Sequence, residues 1–483
     1  MGWDWFADPD YWASRLVFQR LLAAIYLVAF LCAANQFRAL LGTNGITPIP
    51  RFLEKTSWRR SPSIFHLHYS DRFFGAVSWT GVAISAALLF GAADSVPVWA
   101  ALVIWAVPWA LYLSILNVGQ VWYGFGWESL LVEAGFLAIF LGPADMAPPV
   151  LVLWLLRWLL FRVEFGAGMI KMRGDRCWRD LTCLNYHHET QPMPGPLSWY
   201  FHYLPRPLHR VEVLANHVAQ LVVPFALFAP QPVATVAAAV VIVTQGWLML
   251  SGNFSWLNAL TITLAVSTID GRLLDAVLPG ERPALAAIPY WYGAVLLTLT
   301  ALVLALSYQP VRNLLGKRQL MNYSFTSLRL VNTYGAFGTV TRTRHEVVLE
   351  GTDATELGPD TVWQEYEFKG KPGDPMRRPR QFAPYHLRLD WMMWFAALSS
   401  RYGASWLPGL AAKLLAGDRR TTRLLRGNPF AGTAPTFLRA RLFSYRFTTP
   451  RERNETGAWW VREPERTVIP PCRLGADGSA QRV

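Results

Sequence analysis

The chain has little charge for its size. Only 16% of its 483 residues are Asp, Glu, Lys or Arg, whereas 53% are hydrophobic. A soluble globular domain carries about 25% charged residues, so this sequence is short of the polar side chains that cover a water-soluble surface. The uncharged runs at 21–34 and 287–307 instead suit the hydrocarbon of a bilayer. The composition therefore argues against an entirely soluble protein.

Cysteines and familiar catalytic motifs are also scarce. The four cysteines, at positions 32, 177, 183 and 472, are too few for a disulfide scaffold. The residues before the first apolar run lack the positive charge of a cleavable signal peptide. The sequence has no G-x-S-x-G, H-E-x-x-H, P-loop or G-x-G-x-x-G pattern. Hydrolases, zinc proteases and nucleotide-binding enzymes therefore find no support in sequence motifs.

The apolar residues fall into segments of membrane-spanning length. Crossing a bilayer takes about 20 residues of α-helix, and the sequence offers runs of this length between polar loops. We predict an α-helical polytopic membrane bundle over residues 18–310, preceded by an N-terminal interfacial segment at 1–17. The bundle is expected to have about nine spans, near 18–40, 73–92, 97–118, 121–142, 148–170, 212–230, 233–251, 254–269 and 288–308.

After residue 320 the pattern changes to that of a soluble α+β domain. Strand-like runs separated by Gly, Asp and Pro precede helical runs, and we place this domain at 320–449. The tail at 450–483 is polar and predicted to be partly disordered. From Arg312 onwards there are 27 Lys and Arg against 15 Asp and Glu. Such a basic surface attracts anionic lipid headgroups, and no nucleic-acid-recognition motif is present, so the bilayer is the expected partner.

The loop charges predict an orientation. With nine spans, the Arg- and Lys-rich loops after the first and fifth spans lie on the same side as the segment after the ninth. The positive-inside rule then places the C-terminal domain in the cytoplasm and the N-terminus outside.

Several ionisable residues lie inside the predicted spans, where charge is costly. One interpretation is a structural ion-pair network, in which an acid of the fourth span pairs with an arginine of the fifth. The other is a polar cavity that serves a substrate or protons. The residues concerned are Glu128, Glu133, Arg157, Arg162 and Glu164.

The region after the fifth span contains a weak candidate metal site. Cys177 and Cys183, followed by His187 and His188, could supply zinc ligands. The five residues between the cysteines depart from the usual zinc-knuckle spacing. We therefore expect neither a metal nor a cofactor.

Tryptophans in the C-terminal third are candidates for a surface that binds a client protein or lipid headgroups. Trp459 and Trp460 are flanked by arginines, as is common at interfaces. Trp391 and Trp394 belong to a helical run that could equally face a hydrophobic core.

Long collinear blocks of the sequence resemble the lipase maturation factor family. They include YGFGWESLLVEAGFLAIFLGP at 123–143 and NHVAQLVVPFALFAP at 216–230. Further blocks lie at 16–53, 161–200, 248–261, 330–352, 363–398, 424–430 and 438–448. The resemblance implies a multi-pass protein of the endoplasmic reticulum membrane that helps dimeric lipases reach their active, secreted form. It implies no catalytic residue, and it requires a working surface on the secretory side, opposite to the orientation predicted from loop charges.

A shorter resemblance supports an alternative function. AGMIK at 167–171, followed by Trp178, is similar to a segment of vitamin K-dependent carboxylases and their bacterial relatives, which implies Lys171 as a base. The alternative is a membrane-embedded enzyme for a lipid-soluble or lipid-linked substrate, with Lys171, Glu133 and His217 around a cavity. We favour a non-enzymatic maturation factor with a lipase-like or other exported client. The Ala- and Arg-rich composition suits a bacterial source, in which the inner membrane would replace the reticulum.

Overall fold

The computed structural model describes residues 6–276, 283–430 and 432–483. The first five residues of the predicted N-terminal segment 1–17 therefore lie outside the described residues. The α-helices of the N-terminal two thirds are α1 (Trp12–Leu40), α2 (Ile49–Leu53), α3 (Asp71–Leu89), α4 (Val98–Val118), α5 (Gly126–Ala138), α6 (Val150–Arg173), α7 (Arg176–Arg179), α8 (Leu184–Thr190), α9 (Ser198–His202), α10 (Arg206–Leu221), α11 (Val223–Ala226), α12 (Val233–Ser251), α13 (Leu257–Val266), α14 (Gly271–Asp275) and α15 (Tyr290–Leu315). Short 3₁₀ turns lie at Pro9–Tyr11, Ile64–His66, Gln120–Tyr123 and Ile139–Leu141.

Within the described residues, five helices are long and apolar enough to cross a membrane. They are Pro9–Leu40, Asp71–Leu89, Val98–Val118, Val233–Ser251 and Tyr290–Leu315. The chain is thus a helical protein with several candidate membrane spans, and the predicted count of about nine is not confirmed.

The other four predicted spans contain helices that are short, divided or charged in their interior. The spans at 121–142 and 254–269 contain α5 and α13, which have 13 and 10 residues and are therefore too short to cross about 30 Å of hydrocarbon. The span at 212–230 is divided between α10 and α11. Helix α6 has 24 residues but carries Arg157, Arg162 and Glu164 in its interior.

Proline marks the start of four long helices. It occupies the N-cap of α4, α6, α12 and α15. The first N–H groups of a helix have no intrahelical acceptor, so a residue without an N–H costs nothing there. Ser70 begins α3 differently, since its hydroxyl accepts a hydrogen bond from the Phe73 N–H.

Helix α1 lies at the centre of the helical region and packs along α3. The α1 residue Phe30 lies against Gly81 of α3, so the two backbones approach closely at this crossing. At its N-terminal end, the buried Arg15 donates to the carbonyl oxygens of Met146 (2.7 Å) and Ala144 (2.9 Å). These bonds join α1 to the loop before α6.

The C-terminal region contains two small antiparallel sheets and short helices. The strands are β1 (Tyr323–Ser324), β2 (Asn332–Thr333), β3 (Arg344–Thr352), β4 (Gln364–Glu365), β5 (Phe437–Phe447), β6 (Trp460–Leu474) and β7 (Ala480–Arg482). The helices are α16 (Arg388–Leu398), α17 (Ser400–Gly403), α18 (Leu407–Leu415), α19 (Arg419–Thr422) and α20 (Pro450–Thr456).

The larger sheet has the strand order β4-β3-β5-β6-β7. The long strands β3 and β5 pair with each other, and Val348 lies opposite Arg441. Strand β5 also pairs with β6, and there Phe447 lies opposite Trp460. Helix α16 packs on β3. Most residues of β3 and β5 are buried, including the charged residues Arg344, Glu346 and Glu350 of β3.

The structure differs from the expectation for the last residues. The segment 450–483, predicted to be polar and partly disordered, forms α20 and the strands β6 and β7 of the larger sheet. Five consecutive residues of β6, at 463–467, are exposed, and three of them are charged. That charge, together with Pro464, Pro470 and Pro471, hides the strand pattern in the sequence.

Candidate functional site

The two acidic residues of α5 bind partners from distant parts of the chain. Glu128 is fully buried, and its carboxylate accepts hydrogen bonds from Arg388 Nη1 (2.6 Å) and the Tyr112 hydroxyl (2.6 Å). His386 Nδ1 lies 3.4 Å from the same carboxylate. The guanidinium of Arg388 also lies 3.5 Å from the centre of the Tyr123 ring. This ion pair therefore connects the helical region to the start of α16.

A second buried ion pair lies five residues further along α5. Glu133 forms a salt bridge with Arg162 of α6. It also accepts hydrogen bonds from the Asn332 N–H (3.0 Å), the Asn332 amide (2.8 Å) and the Tyr334 hydroxyl (2.6 Å). Arg162 in turn donates to the Asn332 carbonyl at 2.6 Å. Every oxygen of this carboxylate has a donor, so the charge is compensated.

The structure separates the other charged residues that were singled out. Arg157 donates to the Tyr11 hydroxyl at 2.7 Å. Glu164 accepts a hydrogen bond from Gln245 at 2.6 Å. The predicted partners for Glu128 were arginines of the same membrane region, whereas the structure supplies Arg388, 260 positions later. No local sequence pattern connects residues so far apart.

Lys171 belongs to a polar network between α6 and α10. Its ammonium donates to the side-chain oxygens of Gln220 (2.8 Å) and Asn216 (3.1 Å), and it lies 4.8 Å from the centre of the Trp178 ring. His217 Nε2 lies 2.9 Å from the Trp178 carbonyl oxygen. Lys171 and His217 thus share Trp178 as a neighbour.

The enzyme alternative required Glu133 in the same cavity as Lys171 and His217. Glu133 is instead engaged by Arg162, Asn332 and Tyr334. No hydrogen bond or ion pair in the described part of the chain joins Glu133 to Lys171 or His217, so the geometry gives no support to these three residues as one catalytic group.

The candidate metal site at Cys177, Cys183, His187 and His188 is corrected by the structure. Cys177 and Cys183 are joined in a disulfide bond. Zinc is bound by cysteine thiolates, and neither sulfur is a thiolate once the two are bonded. The His187 ring packs against Phe337, with their centres 4.9 Å apart.

Three of the tryptophans predicted to form a docking surface are buried. Trp391 is 3% exposed and Trp460 is 2% exposed, and Trp460 stacks on Phe447 with ring centres 4.1 Å apart. Trp459 is also buried, and Trp394 is partly buried. Trp391 and Trp394 pack in the main hydrophobic core, and Trp459 and Trp460 lie in a smaller buried cluster, which corrects the expectation that they form an exposed surface.

Side chains around Trp459 do reach the surface. The guanidinium of Arg453 lies 3.7 Å from the centre of the Trp459 ring, and that of Arg378 lies 5.1 Å from it. Tyr200 is 45% exposed and packs edge-on against Trp459. Trp199 completes the group and donates to the Thr448 carbonyl at 2.8 Å. We call Trp199, Tyr200, Arg378, Arg453 and Trp459 the arginine–aromatic cluster.

An apolar groove lies between α6 and α15. Its volume is about 1010 Å³, and its lining includes Trp154, Trp158, Phe228, Leu304 and Arg312. No sequence pattern reveals this groove, because its two walls come from helices more than 100 residues apart.

Two family models match the chain. The lipase maturation factor transmembrane domain matches residues 13–276, and the lipase maturation factor C-terminal domain matches residues 330–470. Lipase maturation factor 1 of Mus musculus is 42% identical over 510 residues, covering 96% of this chain and 88% of the mouse protein. Lipase maturation factor 1 of Homo sapiens is 42% identical with the same coverage. Lipase maturation factor 2 of Homo sapiens is 29% identical over 95% of this chain and 83% of its own length. No solved structure matches the chain.

Proposed function

The chain belongs to the lipase maturation factor family, and we propose that it assists the maturation of secreted, lipase-like clients from within a membrane. The collinear similarity to lipase maturation factors, which includes both the helical and the C-terminal regions, carries this proposal. The apolar helices make it an integral membrane protein. The compartment that we propose is the endoplasmic reticulum membrane in a eukaryote, or the inner membrane in a bacterium.

The C-terminal sheet and the segment 174–205 lie on one side of the membrane in this proposal. They contact each other, since Arg344 donates to the Glu189 carbonyl at 3.0 Å and Phe447 donates its N–H to the Glu189 carboxylate at 2.7 Å. The segment carries the disulfide between Cys177 and Cys183, and disulfides persist in oxidising compartments. We therefore place both on the secretory side, where exported clients fold.

This orientation is opposite to the one that the loop charges predict. The positive-inside rule applies to short loops, whereas long loops and folded domains cross a membrane largely regardless of their charge. The basic residues after Arg312 lie in a folded domain, so their charge is a weak constraint. On the secretory side they would still attract anionic headgroups.

We propose the arginine–aromatic cluster as the surface that contacts the client. Arginine and aromatic side chains are enriched among the residues that dominate binding at protein interfaces. In the cluster, Trp459 fixes the positions of Arg453 and Arg378 by cation–π contacts. The arginines are therefore preorganised next to the exposed Tyr200.

Secreted lipase activity tests the proposal. Cells that lack their own family member are given a secreted dimeric lipase with or without this chain, and activity in the medium is divided by lipase protein. We expect the chain to raise specific activity. An Arg378→Glu/Arg453→Glu variant is expected to lower that gain about fivefold, which corresponds to about 1 kcal/mol of binding.

The matched control is Arg401→Glu/Arg473→Glu, because both residues are exposed, lie in the C-terminal region and give the same change of charge. It is expected to behave like the unmodified chain. If the chain reaches the membrane at normal levels without raising lipase activity, the maturation function is refuted. If the chain works and the two variants are equal, only the assignment of the surface is refuted.

A further inference from the structure

The imidazole of a buried histidine lies between α8 and α10. His188 of α8 is 2% exposed. Neither of its ring nitrogens meets a hydrogen-bond partner among the described residues. Buried polar atoms in native proteins nearly always have partners, so an imidazole with two unsatisfied nitrogens points to a ligand.

Two further ligand groups face His188 from α10. His209 and Glu212 are three positions apart on this helix and therefore share a face. The ligand atoms of His188, His209 and Glu212 all lie within 4.8 Å of one another. One oxygen of Glu212 accepts a hydrogen bond from Trp247 at 2.6 Å, and its other oxygen has no partner in the described part of the chain.

The surroundings of His209 orient it as a ligand. Its Nε2 lies 3.0 Å from the Phe201 carbonyl oxygen, which accepts a hydrogen bond from that nitrogen. Nδ1 then carries the lone pair, and it lies 3.2 Å from the side-chain oxygen of Asn185. A backbone carbonyl that fixes the tautomer in this way is the usual outer-shell partner of a metal-bound histidine.

We propose that His188, His209 and Glu212 bind a divalent transition-metal ion, for which Zn²⁺ is the best match. Two imidazoles and one carboxylate form a common zinc donor set, with Asn185 or a water molecule available as the fourth ligand. In a tetrahedral zinc site the ligand atoms are about 3.3 Å apart. The ligand atoms of His188, His209 and Glu212 lie within 4.8 Å of one another, and small side-chain rotations can bring them to this separation.

The metal would fasten the segment 184–205 to α10. The same segment binds the C-terminal sheet through Glu189 and through Trp199, which donates to the Thr448 carbonyl. A metal at His188 would thus hold in place the part of the chain that connects the helical region to the sheet, as structural zinc sites do in small domains.

Metal analysis of the full-length protein tests the proposal. The protein is purified in detergent from cells grown with added zinc, dialysed without chelator, and measured by plasma mass spectrometry. We expect about one zinc per chain in the unmodified protein and less than about a tenth of that in His188→Gln. Glu212→Gln preserves the shape of the side chain and is expected to lower zinc affinity at least about tenfold.

His345→Gln is the matched control, because His345 also lies beside a carboxylate, that of Glu465 at 3.1 Å, but is on the surface. It should retain the zinc. Exchange into Co²⁺ gives a second readout, a visible absorption band of tetrahedral cobalt that is lost in Glu212→Gln. If the unmodified protein neither contains zinc nor takes up added Zn²⁺ or Co²⁺, the proposal is overturned. Retention of the metal by a folded His188→Gln protein would overturn it as well.

Discussion

Glu128 and Arg388 lie 260 positions apart in the sequence, yet their side chains are 2.6 Å apart and both are buried. A charge removed from water is tolerated only when an opposite charge and hydrogen bonds compensate it. Tyr112 and His386 supply part of that compensation to Glu128. The pair therefore does more than add stability, because it makes the position of α16 depend on α5.

Removal of the cation alone is expected to be costly. Arg388→Met keeps a long side chain and leaves the Glu128 carboxylate buried without its main partner. We expect the free energy of unfolding to fall by about 3–5 kcal/mol, measured by denaturant titration in detergent micelles. Adding Glu128→Gln should restore part of the loss, since the uncompensated charge is then gone.

A surface pair provides the comparison for this prediction. Arg446 and Glu452 are 2.7 Å apart, but both side chains are partly exposed. Arg446→Met is expected to cost at most about 1 kcal/mol. Equal effects of the two arginine substitutions would show that burial of Arg388 has no energetic consequence.

The sequence predicted which spans carry charged residues but not most of their partners. Glu133 and Arg162 were among the nominated residues, and the structure brings them together. The sequence does not predict Arg388 as a partner of Glu128, because Arg388 lies outside the predicted spans and no periodicity relates it to α5. The cluster of His188, His209 and Glu212 was missed for a similar reason, since α10 and α8 meet only in the folded chain.

At the scale of elements, the crossing of α1 and α3 depends on a missing side chain. A Cβ atom added at Gly81 would overlap the ring of Phe30. Small residues at such crossings allow two helices to approach closely, and close approach is what stabilises helix pairs in a membrane. Gly246 on α12 differs from Gly81, because a Cβ atom added there would meet open space, with no contact within 4 Å from the rest of the described chain.

Gly81→Ala is therefore expected to destabilise the protein, and Gly246→Ala is not. The added methyl at position 81 forces Phe30 or the helix backbone to move, at a cost of about 1–3 kcal/mol. Alanine at position 246 is expected to change stability by less than about 1 kcal/mol, in the favourable direction. Thermal unfolding of both variants in the same detergent, followed by circular dichroism, would measure the difference. A loss of stability at both positions would contradict the packing explanation, because alanine has a higher helix propensity than glycine at each.

Hydropathy located every described helix of ten or more residues before residue 316, but its count of about nine membrane spans is not confirmed. The ends of α3, α4 and α12 lie within a few residues of the predicted spans. The predicted spans extend beyond both ends of α5 and α13, because the apolar residues around these helices continue into turns that are buried inside the protein. An apolar run has the same composition whether lipid or protein surrounds it, so hydropathy alone does not distinguish the two.

At the scale of the whole molecule, a continuous hydrophobic core runs from the helices to the larger sheet. It includes Leu22 and Leu130 of the helical region as well as Leu349 and Leu438 of the sheet. The predicted boundary between a membrane bundle and a separate soluble domain does not appear as a break in this core. Contacts between residues that are distant in sequence produce this continuity, and a sequence pattern does not report them.

The predicted end of the C-terminal domain at residue 449 is open to a direct test. A chain that stops after Thr449 loses α20, β6 and β7. Strand β5 then keeps its pairing with β3 but becomes an edge strand, and Phe447 loses its contact with Trp460. Loss of one buried tryptophan alone costs about 3–5 kcal/mol. We therefore expect the region after residue 320 to become sensitive to trypsin in membrane preparations, while the helices before it remain inserted.

A chain that stops after Leu474 is the control, because it keeps the whole of β6 and its pairing with β5 and removes only β7 and the turn before it. Its C-terminal region is expected to resist trypsin nearly as well as the full chain. If the domain were complete at residue 449, as the sequence suggested, both truncated chains would be equally resistant. The sheet predicts otherwise, since β6 pairs with β5 from Phe447 to Leu438 and holds Arg462 against Glu365 at 2.7 Å, so that the fold of this region depends on residues beyond the predicted end of the domain.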